Sequence, residues 1–242
     1  MQNQIESAIA LYSSGQPQKA LDLIMPLLQD KPKEAILHNI CGACYSALGN
    51  LKDAINSFNK ALLIKPDYAE VHNSLGLLLQ KTGQLNEAAE NFKNAIDSYA
   101  DYAEAHNNLG NAFKELNQLD AAIACYEKSI AINPSFASGY FNLGLLYFDQ
   151  REFTKAIDSY EKAIQINPKY FEAHNNLGTT LQFFGKMNLA VESYKKAIKI
   201  QPSFLDAQIN LGVALTELGK LSEAKSCLRK AISIDSNSAM AH

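Results

Sequence analysis

Two residue sets in this sequence are of types that do chemistry. Cys41 and Cys44 form a CGAC pair, the spacing of a redox dithiol or half a zinc site. Both fall inside a helical stretch, whereas a thioredoxin-type site needs a strand–helix junction and zinc needs two further ligands. The pair is read as core filling, because a buried free cysteine behaves as a small hydrophobe. His38, His72, His106 and His174 recur at multiples of one spacing, with His242 at a later step of the series. A metal would need their nitrogens within about 2.1 Å of one ion, and packed helices lie about 8–10 Å apart. The histidines are therefore expected to pack between helices. No Ser–His–Asp order, Gly-rich phosphate loop or carboxylate pair stands out, so neither catalysis nor a cofactor or metal is expected.

Two other sets could bind. Asn108, Asn142, Asn176 and Asn210 share the same spacing. Asparagine is a mediocre helix former, so four in register need a reason. A carboxamide offers donor and acceptor together, enough to grip one peptide group of an extended ligand; it can equally satisfy a neighbouring helix. Phe141 and Phe148 stand seven apart, with Phe183 a further 35 residues on. They form either an anchor for an apolar side chain or ordinary interhelical packing.

The spacing behind these sets is 34 residues, and it organises the whole chain. Blocks run 1–34, 35–68, 69–102, 103–136, 137–170, 171–204 and 205–238. Position 8 of a block is Gly42, Gly76, Gly110, Gly144, Gly178 or Gly212, and position 20 is always alanine. Position 24 is bulky: Ile24, Phe58, Phe92, Tyr126, Tyr160, Tyr194 and Leu228. Small residues at 8 and 20 let two helices approach, and the bulky residue fills the adjacent layer. Glycines such as Gly83 and Gly185 mark where a first helix ends in a left-handed residue; Asn117 suits that conformation and Arg151 does not. Proline at position 32, as in Pro66 and Pro168, stops the second helix. Between these marks the apolar residues follow i, i+3, i+4, as Leu143, Leu146 and Tyr147 do. Tyr68, Tyr102, Phe136, Tyr170 and Phe204, at position 34, are expected to staple one block to the next.

These columns resemble the tetratricopeptide repeat over essentially the whole chain. The resemblance implies an all-α fold, a right-handed superhelical solenoid of antiparallel helix hairpins. It implies a protein- or peptide-binding scaffold whose concave groove is lined by the first helix of each repeat. Positions 5, 6, 12 and 13 then face the groove, which makes Asn108, Asn142, Asn176, Asn210, Phe141, Phe148 and Phe183 the candidate peptide-binding residues, in repeats 4 to 7. The asparagine ladder and the block HNNLG at 106–110 and 174–178 resemble the repeat half of O-linked N-acetylglucosamine transferase. A recruiting arm for a transferase-like enzyme encoded beyond residue 242 is the alternative function. The cations by which one subfamily holds acidic tails are missing; position 2 carries Glu70, Glu104, Glu172 and Asp206. Neutral or basic ligands are expected in the groove.

Bulk properties agree with a folded, non-catalytic scaffold. Hydrophobic residues make up 47% and charged residues 19% of 242, which excludes intrinsic disorder. A net charge of -3 lacks the basic footprint that nucleic acid demands. No apolar run approaches a membrane span, and the N-terminus does not read as a signal peptide. A cytoplasmic setting is expected, since four scattered cysteines make no disulfide framework. The closing AMAH resembles the openings AEAH and FEAH, so an eighth repeat is expected to begin at 239 in a longer protein. Self-association through exposed repeat ends is a further expectation.

Overall fold

The computed structural model describes residues 1–234; His242 and the AMAH opening lie outside them. Every element is a helix. One compact unit spans Met1–Ile132 and holds α1 (Gln2–Ser13), α2 (Pro17–Asp30), α3 (Ala35–Ala47), α4 (Leu51–Ile64), α5 (Ala69–Lys81), α6 (Leu85–Ser98), α7 (Ala103–Glu115) and α8 (Leu119–Ile132). The other spans Asn133–His242 and holds α9 (Ala137–Asp149), α10 (Phe153–Ile166), α11 (Phe171–Phe183), α12 (Met187–Ile200), α13 (Leu205–Glu217) and α14 (Leu221–Ile234). Within each unit consecutive helices pack as hairpins, and first helices also touch one another: α3 meets α5 and α5 meets α7, while α11 meets both α9 and α13. This is the all-α hairpin solenoid that the 34-residue columns predict.

The glycine column explains why each hairpin closes. A Cβ added at Gly76 would stand 2.6 Å from Phe92, and one at Gly110 the same distance from the Tyr126 ring. At Gly178 it would meet Tyr194 at 2.6 Å. The ring of the second helix thus lies directly on the backbone of the first. Where position 8 is alanine, at Ala8, the facing residue is the smaller Ile24, and both are fully buried. The tyrosines keep a polar tip: Tyr126 donates to Asn111 Oδ1 at 2.8 Å, and Tyr194 to Gln182 Oε1 at 3.1 Å.

The histidine column links one hairpin to the next. His38 and His72 each place Nε2 2.9 Å from the carbonyl of Pro32 and Pro66, six residues back. His106 and His174 reach Ala100 and Pro168 at 3.1 Å. With the Nε2 tautomer, each imidazole donates to a loop carbonyl two residues beyond the end of the preceding second helix, a proline in every case but Ala100. These bonds run between repeats, and His72 in addition reaches Asn91 Oδ1, on the second helix of its own hairpin, with Nδ1 at 3.1 Å. Gln208 makes the same bond to Pro202, at 3.3 Å. The turns follow expectation at Asn117, with φ 58°; Arg151 adopts φ 60° despite its side chain.

Two outcomes follow for stability. Gly178→Ala gains about 1 kcal/mol of helix propensity but overpacks a pinned, buried ring at about 1–3 kcal/mol. A net loss of up to about 2 kcal/mol in urea denaturation is expected, reduced when Tyr194→Ile is added to mimic the Ala8–Ile24 pair. Burial, together with Lys196 at His174, lowers the pKa values of His106 and His174 below the ordinary 6.5. A lowered folded-state pKa means the unfolded chain binds protons first. The stability is therefore complete above pH 6.5 and is lost as pH falls through 6.5 toward the folded values. Replacing both histidines by Gln, as at position 208, should flatten the unfolding midpoint between pH 7.5 and 5.5 relative to wild type (about one unit either side of the ordinary His value).

Candidate functional site

The two thiols of the CGAC pair are core residues. Cys41 and Cys44 are buried in α3, and burial pushes both thiols up to about 11. A protonated thiol is neither a nucleophile nor a metal ligand. Among the described residues no group of three His, Cys, Asp or Glu side chains is placed to hold a metal ion.

The asparagines divide into two kinds. Asn108 is buried and donates to Asn73 Oδ1, one repeat back, at 3.0 Å. Asn210 donates in the same way to Asn175 at 3.0 Å. The acceptors form a second column, at position 5, in Asn39, Asn73, Asn107 and Asn175. That column went unread in the sequence, although the doubled NN of HNNLG displays it. Asn73 also hydrogen-bonds the Tyr102 hydroxyl, and Asn39 donates to Tyr68 at 3.5 Å. Position 34 thus contributes a hydroxyl as well as a staple. Asn142, half-buried, is itself partnered.

Asn176 is different. The position-5 residue one repeat back is Phe141, which offers no amide oxygen. Asn176 Oδ1 accepts from Asn175 at 3.2 Å, and its own NH2 has no partner among the described residues. That half-buried amide lines a cavity of about 210 Å3 together with Leu145, Phe148, Asp149, Tyr160 and Thr179. The cavity has apolar walls, one amide donor and one carboxylate at its edge. Such a site fits an apolar side chain on an extended backbone.

The phenylalanines also separate. Phe148 and Phe183 meet edge to face at 5.5 Å. Phe153, at the start of the facing second helix α10, completes the cluster at 5.8 Å from Phe148 and 6.1 Å from Phe183. Phe183 remains 65% exposed, so the cluster is a surface rather than core. Phe141 instead packs on Tyr170 at 4.8 Å and on Tyr160 at 5.9 Å. It packs behind Tyr160, which lines the cavity, and as a phenylalanine at position 5 it offers the Asn176 NH2 no acceptor.

Comparison with known families settles the architecture. A TPR repeat family model matches residues 42–83, 81–116, 110–151 and 185–219, and tetratricopeptide repeat models match 137–170, 159–192 and 205–238. The chain belongs to the tetratricopeptide-repeat family. Among solved structures it is similar to the MamA protein, with 30% identity, a TM-score of 0.61, and coverage of 70% of this chain and 92% of that one. It also resembles Pseudomonas aeruginosa PilF, at 20% identity and TM-score 0.77, covering 86% and 94%. A third is YrrB, described as a TPR protein with an unusual peptide-binding site, at 20% identity and TM-score 0.60, covering 76% and 95%. No curated protein matches the chain. Tetratricopeptide repeats are binding scaffolds, and among the described residues no helix is long and apolar enough to cross a membrane.

The division of the asparagines has a measurable consequence in this tetratricopeptide framework. Asn210→Ala removes the bond to Asn175 and should cost about 1 kcal/mol in urea denaturation. Asn176→Ala breaks no inter-repeat bond but strips the buried Asn175 NH2 of its acceptor, so a similar loss is expected. The two losses should not add in the double variant, because both bonds share Asn175.

Proposed function

We propose that this chain is a non-catalytic scaffold that seats an extended peptide on its first-helix face, with the cavity around Asn176 as the anchor. The observation that carries this reading is the unpaired Asn176 amide beside an apolar hollow. A half-buried, unpaired donor next to Phe148 and Leu145 can take a ligand carbonyl while the adjacent ligand side chain fills the hollow. The Phe148–Phe153–Phe183 surface extends the apolar contact on one side.

Charge supports a neutral or basic ligand. Asp149 lies at the cavity, and Glu172 and Asp206 occupy position 2 of the repeats in this unit. An acidic segment would meet like charge there. Asn108 and Asn210, whose NH2 groups already bond to neighbouring repeats, serve as spacers that hold the helices in register; Asn142 belongs to the same column. A cytoplasmic setting suits the four free cysteines. A transferase-like domain beyond residue 242, if the chain carries one, would use the same face as a recruiting arm.

Selection from a random peptide library on the immobilised chain tests the proposal. Enriched peptides should share one large apolar residue and lack acidic neighbours. Asn176→Ala and Phe148→Ala should each weaken the best of them about tenfold, the scale of a lost hydrogen bond or anchor contact. Peptides that bind both variants as tightly as wild type would place the ligand elsewhere and sink the reading.

A further inference from the structure

A second cavity lies away from the first-helix face, at the ends of two second helices. It measures about 590 Å3 and is lined by Ile164, Pro168 and Ile200, with Lys169, Lys196 and Lys199 around it and His174 at its edge. All three lysines are exposed, and none is in an ion pair among the described residues. No carboxylate lines the cavity.

The repeat provides its own control for these charges. The corresponding positions one junction on are Ser203, Lys230 and Ser233. In the other unit they are Asp67, Asn94 and Asp97 at one junction and Asp101, Lys128 and Ala131 at another. The Lys196 position is lysine in most repeats (Lys60, Lys128, Lys162, Lys230) and the Lys169 position recurs as Lys33, but Lys199 has no counterpart, so all three cations meet at this junction alone. Helix dipoles favour a cation near a C-terminus, yet the last turn of α6 has no basic residue while α12 has Lys199. Three unpaired ammonium groups over an apolar floor are a property of this junction and not of the repeat.

We propose that this cleft is a second docking site, for an acidic peptide segment that carries an aliphatic residue among its carboxylates. The lysines take the carboxylates as point charges, and Ile164, Pro168 and Ile200 receive the aliphatic side chain. The floor has no aromatic ring on which a nucleobase could stack. The cavity is far roomier than a lone phosphate needs, so a peptide is the occupant that its shape and charge together select. Because Asp149 marks the groove and three lysines mark the cleft, the two sites take ligands of opposite charge.

Fluorescence anisotropy on the full chain tests this with a short labelled peptide alternating Glu and Leu, beside its Lys–Leu counterpart. The Glu–Leu peptide should bind, and binding should weaken as salt rises. Changing Lys169, Lys196 and Lys199 together to Glu should weaken it at least about tenfold, since three exposed ion pairs are lost and repulsion is added. Lys196→Gln with Lys199→Gln, a milder pair at exposed positions, should weaken it about threefold with the circular dichroism unchanged. Phe148→Ala should leave it in place. Equal binding of the Lys–Leu peptide, affinity unaltered by the lysine changes, or loss in Phe148→Ala would each overturn the proposal. So would displacement by a single-stranded oligonucleotide at lower concentration than by unlabelled Glu–Leu peptide. Failure of the groove ligand to bind would leave the cleft result standing, because no lysine of the cleft lines the groove cavity.

Discussion

A bulky side chain lying on a small residue of the first helix, a ring on glycine in all but the first and last hairpins, is the contact on which the hairpins depend. Gly110 with Tyr126 and Gly178 with Tyr194 bring two helices so close that a single methyl group would collide with the ring. Each helix is only 12–14 residues long, a length that is marginal alone in water. Burial in the hairpin and against the next one therefore supplies the stability. The alanine column at position 20, buried throughout, completes the same close approach from the second helix.

Hairpins become a stack through polar links. His38, His72, His106, His174 and Gln208 each bond a carbonyl at the end of the preceding repeat. Asn108 and Asn210 bond to the first helix before their own. These groups sit in partly or fully buried places, where an unpaired amide or imidazole would cost more than its bond contributes. Identity at positions 4, 5 and 6 is thus coupled between successive repeats, and a departure in one repeat is felt by the next.

The fold was legible because its constraints are periodic. A glycine, an alanine and a proline recurring every 34 residues can be read without coordinates, as can the need for a bulky residue opposite the glycine. The site was legible only in part, because its cause is a break in the period. Phe148 and Phe183 could be paired from helical spacing, but Phe153 comes from the facing helix and has no column of its own. The asparagine column looked uniform at position 6. Its members differ because the partner is one repeat back at position 5, and a single column cannot show what its neighbour supplies. Arg151 was legible as a conflict: its turn demands a left-handed residue, and the chain adopts it regardless.

The same logic locates what is particular to this chain. Wherever a column holds, its residues are committed to closing or stacking hairpins and have little left for a ligand. Both proposed sites lie where the pattern of the columns changes. Phe141 in place of asparagine offers the Asn176 NH2 no acceptor and packs behind Tyr160, which lines the cavity. Lys169, Lys196 and Lys199 coincide at one junction, where the other junctions carry at most two lysines, and create a positive cleft. Both departures fall in the unit Asn133–His242, on α9 to α12, and neither disturbs the glycine–ring contacts at Gly144 and Gly178. A repeat protein can therefore acquire specificity by local substitution at low cost to its fold, because the interactions that hold each hairpin together are segregated from the positions that face outward.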